Sequence, residues 1–178
     1  MSLPASLRRA FLACLLALAG MTASHAEPVA GDVPPPRLGR NLAGDEILIP
    51  GYAGKAVVLT FWATWCPYCL KELPILDNVQ RRAGPDRLRV VAVNTEDRDV
   101  FRQATRMMRK AMAIELVSDA DGQAARAFGV TVLPHMVIVG RDGRIVRVYR
   151  GYSEDSLKAI VADINLALAS PPASAPAP

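Results

Sequence analysis

The stretch AVVLTFWATWCPYCLKELP (56–74) constrains the fold more than any other part of the chain. Its first seven residues, apolar or β-branched, read as a strand. Cys66 and Cys69 follow, two residues apart, and Leu70, Leu73, Leu76 and Val79 then recur at helical spacing over 67–83. Pro74 interrupts that face and should kink the helix. A strand that passes into a helix through CxxC sets the first cysteine at the helix start. Free backbone N–H groups and the positive end of the helix dipole then favour its thiolate, making Cys66 the exposed, attacking thiol. Cys69, one turn deeper on the same face, is placed to resolve a mixed disulfide. Pro67 suits the first helical position, where its missing N–H costs nothing. Zinc would need four ligands, and apart from Cys14 and His25 near the N-terminus the chain offers only Cys66, Cys69 and His135. A purely structural disulfide here would close too short a loop to stabilise much. Redox chemistry is the reading.

The N-terminus bears on the compartment. Arg8 and Arg9 precede an apolar core from Ala10 to about Met21, and Ser24-His25-Ala26 supplies the small residues of a cleavage site. Residues 1–26 are therefore expected to be a signal peptide, cleaved before Glu27 rather than kept as an anchor. The apolar core falls short of the roughly 20 residues a membrane span requires. Cys14 would leave with it, so the exported chain keeps Cys66 and Cys69 where disulfides form and exchange. The leader holds two of the chain's arginines and no acid, so the formal net charge of +4 falls to +2. Nucleic-acid binding is not implied.

The remaining 152 residues (178 less 26) suit one domain. Proline-rich segments at 27–37 and 170–178 read as an extended tether and a disordered tail, leaving the domain at 38–169. Strands are expected at 45–49, 56–62, 87–94 and 113–117, with helices over 67–83, about 98–111, and a short one ending at Gly129. HMVIV and RIVRVY flank GRDG as a hairpin, and a last helix begins near Ser153 as N-cap. Strands alternating with helices make an α/β sandwich.

WCPYCLKELP and the VTVLP segment, whose Pro134 lies 68 residues after Cys66, resemble the thioredoxin fold and, more closely, its exported TlpA/ResA-like branch. Trp65, Cys66, Cys69, Glu72 and Pro74 match the branch's WCxxCxxExP pattern. The resemblance implies a three-layer sandwich around a central mixed sheet, with an N-terminal hairpin extension and a helix/strand insertion before a cis-proline. It gives Glu72 the role of shuttling a proton for Cys69. One helical turn beyond Cys69 and partly buried, that carboxyl would have a raised pKa. Minimal thioredoxins instead carry an aspartate in the strand, where this chain has Thr60. The resemblance also implies a cis bond between Leu133 and Pro134, with the Leu133 backbone offering hydrogen bonds to an extended peptide.

Trp65 is expected at the lip of the site, Trp62 in the core, and Tyr68 in the exposed dipeptide that tunes the potential. Arg98, Arg102, Arg106 and Arg109 read as a solvated helix face, and Met107, Met108 and Met112 as core filler. The spacing leaves no room for the inserted helical domain of DsbA-type oxidants, nor for the dimerisation domain of DsbC-type isomerases. Cytochrome-maturation members usually carry an acid after the buried proline, where this chain has His135. The expected activity is that of an exported, periplasmic thiol–disulfide oxidoreductase, a reductase rather than an oxidase. It acts as a monomer on protein thiols and disulfides, needs no cofactor beyond its own cysteine pair, and is recharged by a membrane thiol donor of the DsbD/CcdA type. The alternative is a copper-handling chaperone using Cys66, Cys69 and His135 as ligands.

Overall fold

The computed structural model describes residues 27–151, 153 and 156–172. The expected leader with Cys14, Tyr152, the acids Glu154 and Asp155 and the last six residues of the tail lie outside the described part. Seven strands form one mixed sheet: β1 Arg37–Arg40, β2 Glu46–Leu48, β3 Ala56–Trp62, β4 Leu88–Asn94, β5 Glu115–Ser118, β6 His135–Val139 and β7 Ile145–Arg150. Their order is β2-β1-β5-β4-β3-β6-β7. A short 3-10 helix spans Ile49–Tyr52, and four α-helices follow: α1 Pro67–Ala83, α2 Arg98–Met108, α3 Gln123–Ala127 and α4 Ser156–Ala169.

β3, β4 and β5 run parallel because helices carry the chain back between them; the outer pairs are antiparallel. Alternation along the central strands divides the core into two layers. Val58, Trp62, Val90, Ala92, Met136 and Ile138 face one way and join Leu73 and Leu76 of α1, Phe101 of α2 and Ile164 of α4. Val57, Leu59, Phe61, Val91, Val137 and Val139 face the other way, towards Phe128 and Ala124 of the α3 region. This is the expected α/β sandwich, with the hairpin β1–β2 added at one edge and α2–β5 inserted before the buried proline. Gly39 permits that addition. It sits at a register irregularity of β1 with φ +128°, where a Cβ would collide with the Ser118 carbonyl.

Several expectations change in detail. The segment 27–37, read as a tether, belongs to the domain: Arg37 opens β1, and the residues before it are tied to β7, with Gly31 N–H donating to the Ile145 carbonyl, Ile145 N–H to that of Asp32, and Glu27 paired with Arg150. Proline content made it read as a linker, but its free backbone groups pair with an open strand edge. Ser170, placed in the tail, belongs to the domain, since its Oγ accepts from Arg141 N–H at 2.7 Å. α1 continues past Pro74 as one 17-residue helix. Met107 is 76% exposed, whereas Met108 and Met112 pack on the core. The last helix begins at Ser156, whose N–H and Oγ both donate to the Ser153 carbonyl.

Candidate active site

β3 ends at Trp62 and α1 begins at Pro67, so the intervening loop delivers Cys66 to the head of the helix. Cys66 is the N-cap, with extended backbone (φ −93°, ψ 101°), and its Sγ accepts from the Cys69 N–H at 3.2 Å. This is the geometry that turns the unpaired N–H groups of a first turn onto a sulfur. Cys66 and Cys69 are joined as a disulfide. Cys66 was expected to be exposed, yet it is only 3% accessible: in this form its sulfur is turned inward onto Cys69. Trp65, at 70% exposure, and Tyr68 stand out beside the pair, while Trp62 is fully buried in the same layer as the cysteines.

Glu72 lies on α1 one turn beyond Cys69, and it is 4% exposed. Burial pushes its carboxyl up from 4.5 to about 7, against a weaker opposite pull from a Thr60 hydrogen bond. That bond runs from Thr60 Oγ1 to Glu72 Oε1 at 3.3 Å. Thr60 had been noted only as a missing strand acid. It is the partner of the helix acid that stands in its place, and even-numbered register on β3 points both Thr60 and Trp62 at the α1 layer.

The bond between Leu133 and Pro134 is cis, and the Pro134 carbonyl accepts from Gly151 N–H, joining the start of β6 to the end of β7. His135 follows immediately but faces the opposite layer. It pairs in register with Phe61, contacts that ring edge-on with centroids 5.9 Å apart, and is fully buried. Met136, the next residue, is the one that joins the cysteine layer. Cys66, Cys69 and His135 therefore do not converge, which corrects the alternative ligand set: strand alternation sends the histidine to the wrong side of the sheet. Among the described residues no group of three or more His, Cys, Asp or Glu side chains is arranged to hold a metal ion. Neither ring nitrogen of His135 has a hydrogen-bond partner among the described residues. Burial, aided by Arg150 and opposed by Glu27, lowers its pKa from 6.5 to about 4.

A residue that sequence reasoning passed over also reaches the site. Glu96, just beyond β4, accepts from both the backbone N–H and the hydroxyl of Thr64 in the loop before Cys66. Nothing in the spacing of a glutamate after VVAVN signals this, because the contact joins two strand ends that only the folded sheet brings together.

No helix among the described residues is long and apolar enough to cross a membrane. Comparison with known proteins agrees with this geometry. A family model described as Redoxin matches residues 31–164. The thiol-disulfide oxidoreductase ResA of Bacillus subtilis (strain 168) is 30% identical over 116 residues, which is 64% of this chain and 63% of that protein. The sporulation thiol-disulfide oxidoreductase A of the same organism is 28% identical over 131 residues, 72% of this chain and 79% of that protein. The match spans 63–64% of the length of the first ResA relatives, a little under two thirds. A Chlorobium tepidum structure described as a thiol:disulfide interchange protein DsbE superposes with a TM-score of 0.70 at 24% identity, covering 80% of this chain and 99% of that one. Matched over most of its described length, with a strand–CxxC–helix site and a cis peptide before Pro134, the chain belongs to the Redoxin family and has the thioredoxin fold.

Proposed function

We propose that this chain is an exported thiol–disulfide oxidoreductase that reduces protein disulfides. One observation carries the reading: a cysteine capping α1, bonded to the cysteine one turn on, above a buried glutamate. In the reduced form the Cys66 thiolate attacks one sulfur of a partner disulfide. A mixed disulfide forms and the partner's first thiolate leaves. Cys69 then loses its proton, attacks Cys66 Sγ and expels the partner's second thiolate. The partner gains two electrons, its two thiolates are protonated from Glu72 and from solvent, and the Cys66–Cys69 disulfide seen here is the product. Glu72 takes the Cys69 proton. A buried carboxyl whose pKa is about 7 both accepts and returns a proton at neutral pH.

Trp65, Leu133 and Pro134 form the face that receives the partner. Trp65 is the exposed aromatic lip, and the Leu133 backbone, next to the cis-proline, offers hydrogen bonds to an extended peptide. The leader-like composition of 1–26 supports export, with a membrane thiol donor of the DsbD/CcdA type returning the protein to its dithiol form as a monomer. The thiol–disulfide oxidoreductase activity of the ResA relatives supports the same chemistry.

The test is a trap. Cys69→Ser, expressed in the exported compartment, should accumulate covalent adducts that collapse on adding reductant, because a hydroxyl cannot displace the partner's thiol. Cys66→Ser should accumulate none. Adducts on Cys66→Ser alone would reverse the roles of the two cysteines, and none on either variant would end the exchange reading. A strongly negative potential for the wild-type pair is expected of a reductase, and an oxidising one would reverse the direction.

A further inference from the structure

Four residues separate the end of β3 from the head of α1, and the position of the attacking sulfur depends on what holds them. Burial does little for the outermost, since Trp65 is 70% exposed. Within the loop the Cys66 N–H donates to the Ala63 carbonyl, and from outside the Thr95 N–H donates to the Trp62 carbonyl, closing its first end. The middle is held by a single side chain. Glu96 Oε2 accepts from Thr64 N–H at 2.6 Å, and Oε1 accepts from Thr64 Oγ1 at 2.9 Å.

Glu96 is itself fixed. Its N–H donates to Asn94 Oδ1 at 3.0 Å, and Asn94 Nδ2 donates back to Glu96 Oε2 at 3.1 Å. Asn94 is fully buried at the end of β4, in register with Trp62 on one side and Ser118 on the other. Its carbonyl also accepts from Asp119 N–H. The carboxylate therefore stands at the buried end of a central strand and reaches across to the one loop residue, Thr64, that lies between buried Ala63 and exposed Trp65. Both of its oxygens are engaged, with geometry that leaves Thr64 one position. A carboxylate that accepts two bonds from one residue restrains it in direction as well as distance.

We propose that Glu96 is a positioning residue for thiol exchange: by clamping Thr64 to the end of β4, it fixes the direction in which Cys66 meets a partner disulfide. The clamp acts through the loop and not on the reacting sulfurs. The inference rests on the exchange reading above, but the effect is local to Cys66, so it is measured without any protein partner. Displacing a reacting atom by a fraction of an ångström to an ångström costs rate steeply, even when the displaced contact is remote from the chemistry.

The experiment compares Glu96→Ala, Glu96→Gln and Thr64→Val in the full-length processed protein, reduced and then mixed with a small symmetric aromatic disulfide as probe. Exchange at Cys66 and the pH dependence of its rate are followed by stopped flow, with thermal unfolding as a control on folding. Glutamine keeps a carbonyl oxygen for the Thr64 and Asn94 donors, and its amide can donate to the Thr64 hydroxyl. Glu96→Ala is expected to slow exchange about tenfold at saturating thiolate. Glu96→Gln should restore most of that rate. Thr64→Val, which keeps only the backbone bond, should fall between them and keeps the proposal testable should Glu96→Ala fail to fold. Exchange by Glu96→Ala at the wild-type rate would overturn the proposal. So would Glu96→Gln as slow as Glu96→Ala, since the effect would then be charge and not the clamp. Failure of Cys69→Ser to trap partners would instead strike the exchange reading, a result these rates do not touch.

Discussion

Glu72 on one face of the sheet and His135 on the other are both buried titratable side chains, and the two faces treat them differently. On the α1 face Glu72 accepts from Thr60 and lies on the helix that Cys66 caps and Cys69 belongs to. On the α3 face His135 has no hydrogen-bond partner among the described residues and lies against Phe61, with no cysteine in its layer. Burial suppresses the charged form of both, so the acid's pKa rises to about 7 and the base's falls to about 4. The same physical cause thus yields a group that titrates in the working range beside the chemistry, and a group held neutral away from it. A perturbed pKa marks a functional residue only when geometry puts it beside something to act on.

The comparison is broken most severely at the cysteines. Cys66→Ser should reduce disulfide exchange to the uncatalysed rate, whereas His135→Phe should leave exchange by the reduced protein unchanged. A stopped-flow assay of both variants settles this. Loss of activity in His135→Phe, with folding intact, would return the histidine to the site.

Next in size come two stability effects of similar magnitude and opposite pH direction. The Glu72 pKa is higher in the folded chain than in the unfolded one. Its stabilising balance is therefore complete below pH 4.5 and is lost as pH rises through about 7. The shift corresponds to about 3 kcal/mol at most, so Glu72→Gln should be more stable than wild type by up to that amount at pH 8 and equal to it near pH 4. The same variant should slow exchange and lose the inflection near pH 7 in its rate profile. An unchanged profile would leave Glu72 a buried acid without a proton to move. His135 has a depressed folded pKa, so stability is retained above pH 6.5 and lost as pH falls through about 4. His135→Phe should remove up to about 3 kcal/mol of that acid loss. Denaturant unfolding of the two variants between pH 4 and 8 would show the opposing slopes, and parallel curves would contradict the assignment.

Much of this was legible in the sequence because it is local. CxxC after a strand, Pro67 at the first helical position and a leucine repeat over one helix are all properties of neighbours along the chain, and the structure has Cys66 as N-cap of the 17-residue α1. The turn at GRDG is equally local, with Gly143 N–H donating to the Gly140 carbonyl and φ +80° at Gly143. What escaped depends on which strand lies beside which. Glu96 meets Thr64 because β4 pairs with β3, and Thr60 meets Glu72 because α1 folds back over its own strand. The alternative ligand set with His135 fails for a related reason, although the histidine is packed, as a lone histidine at a strand start is expected to be. Proximity to Pro134 in sequence suggested proximity to the cysteines, but adjacent residues of a strand face opposite layers. Met107 was placed with Met108 on the apolar face of α2 by its spacing, but it is the member of the pair that the helix leaves exposed.

The smallest effect expected concerns Thr60, and it sharpens the contrast between a partnered and an unpartnered buried group. The Thr60 hydroxyl donates to Glu72, so it favours the carboxylate and holds the pKa below where burial alone would put it. Thr60→Val keeps the shape and removes the donor. Glu72 should then titrate higher still, by less than about one unit, since a buried hydrogen bond to a charged group contributes on the order of 1.5–3 kcal/mol and this one, at 3.3 Å, is long. The alkaline stability loss should deepen by about 1 kcal/mol, while stability near pH 4, where Glu72 is protonated in folded and unfolded chains alike, should change little. The inflection of the exchange rate should move to higher pH by the same fraction of a unit. A shift to lower pH would mean that the hydroxyl accepts from a protonated Glu72. No shift at all would mean that burial alone sets this carboxyl, and the α1 face would then hold its acid by the same means as the α3 face holds its histidine.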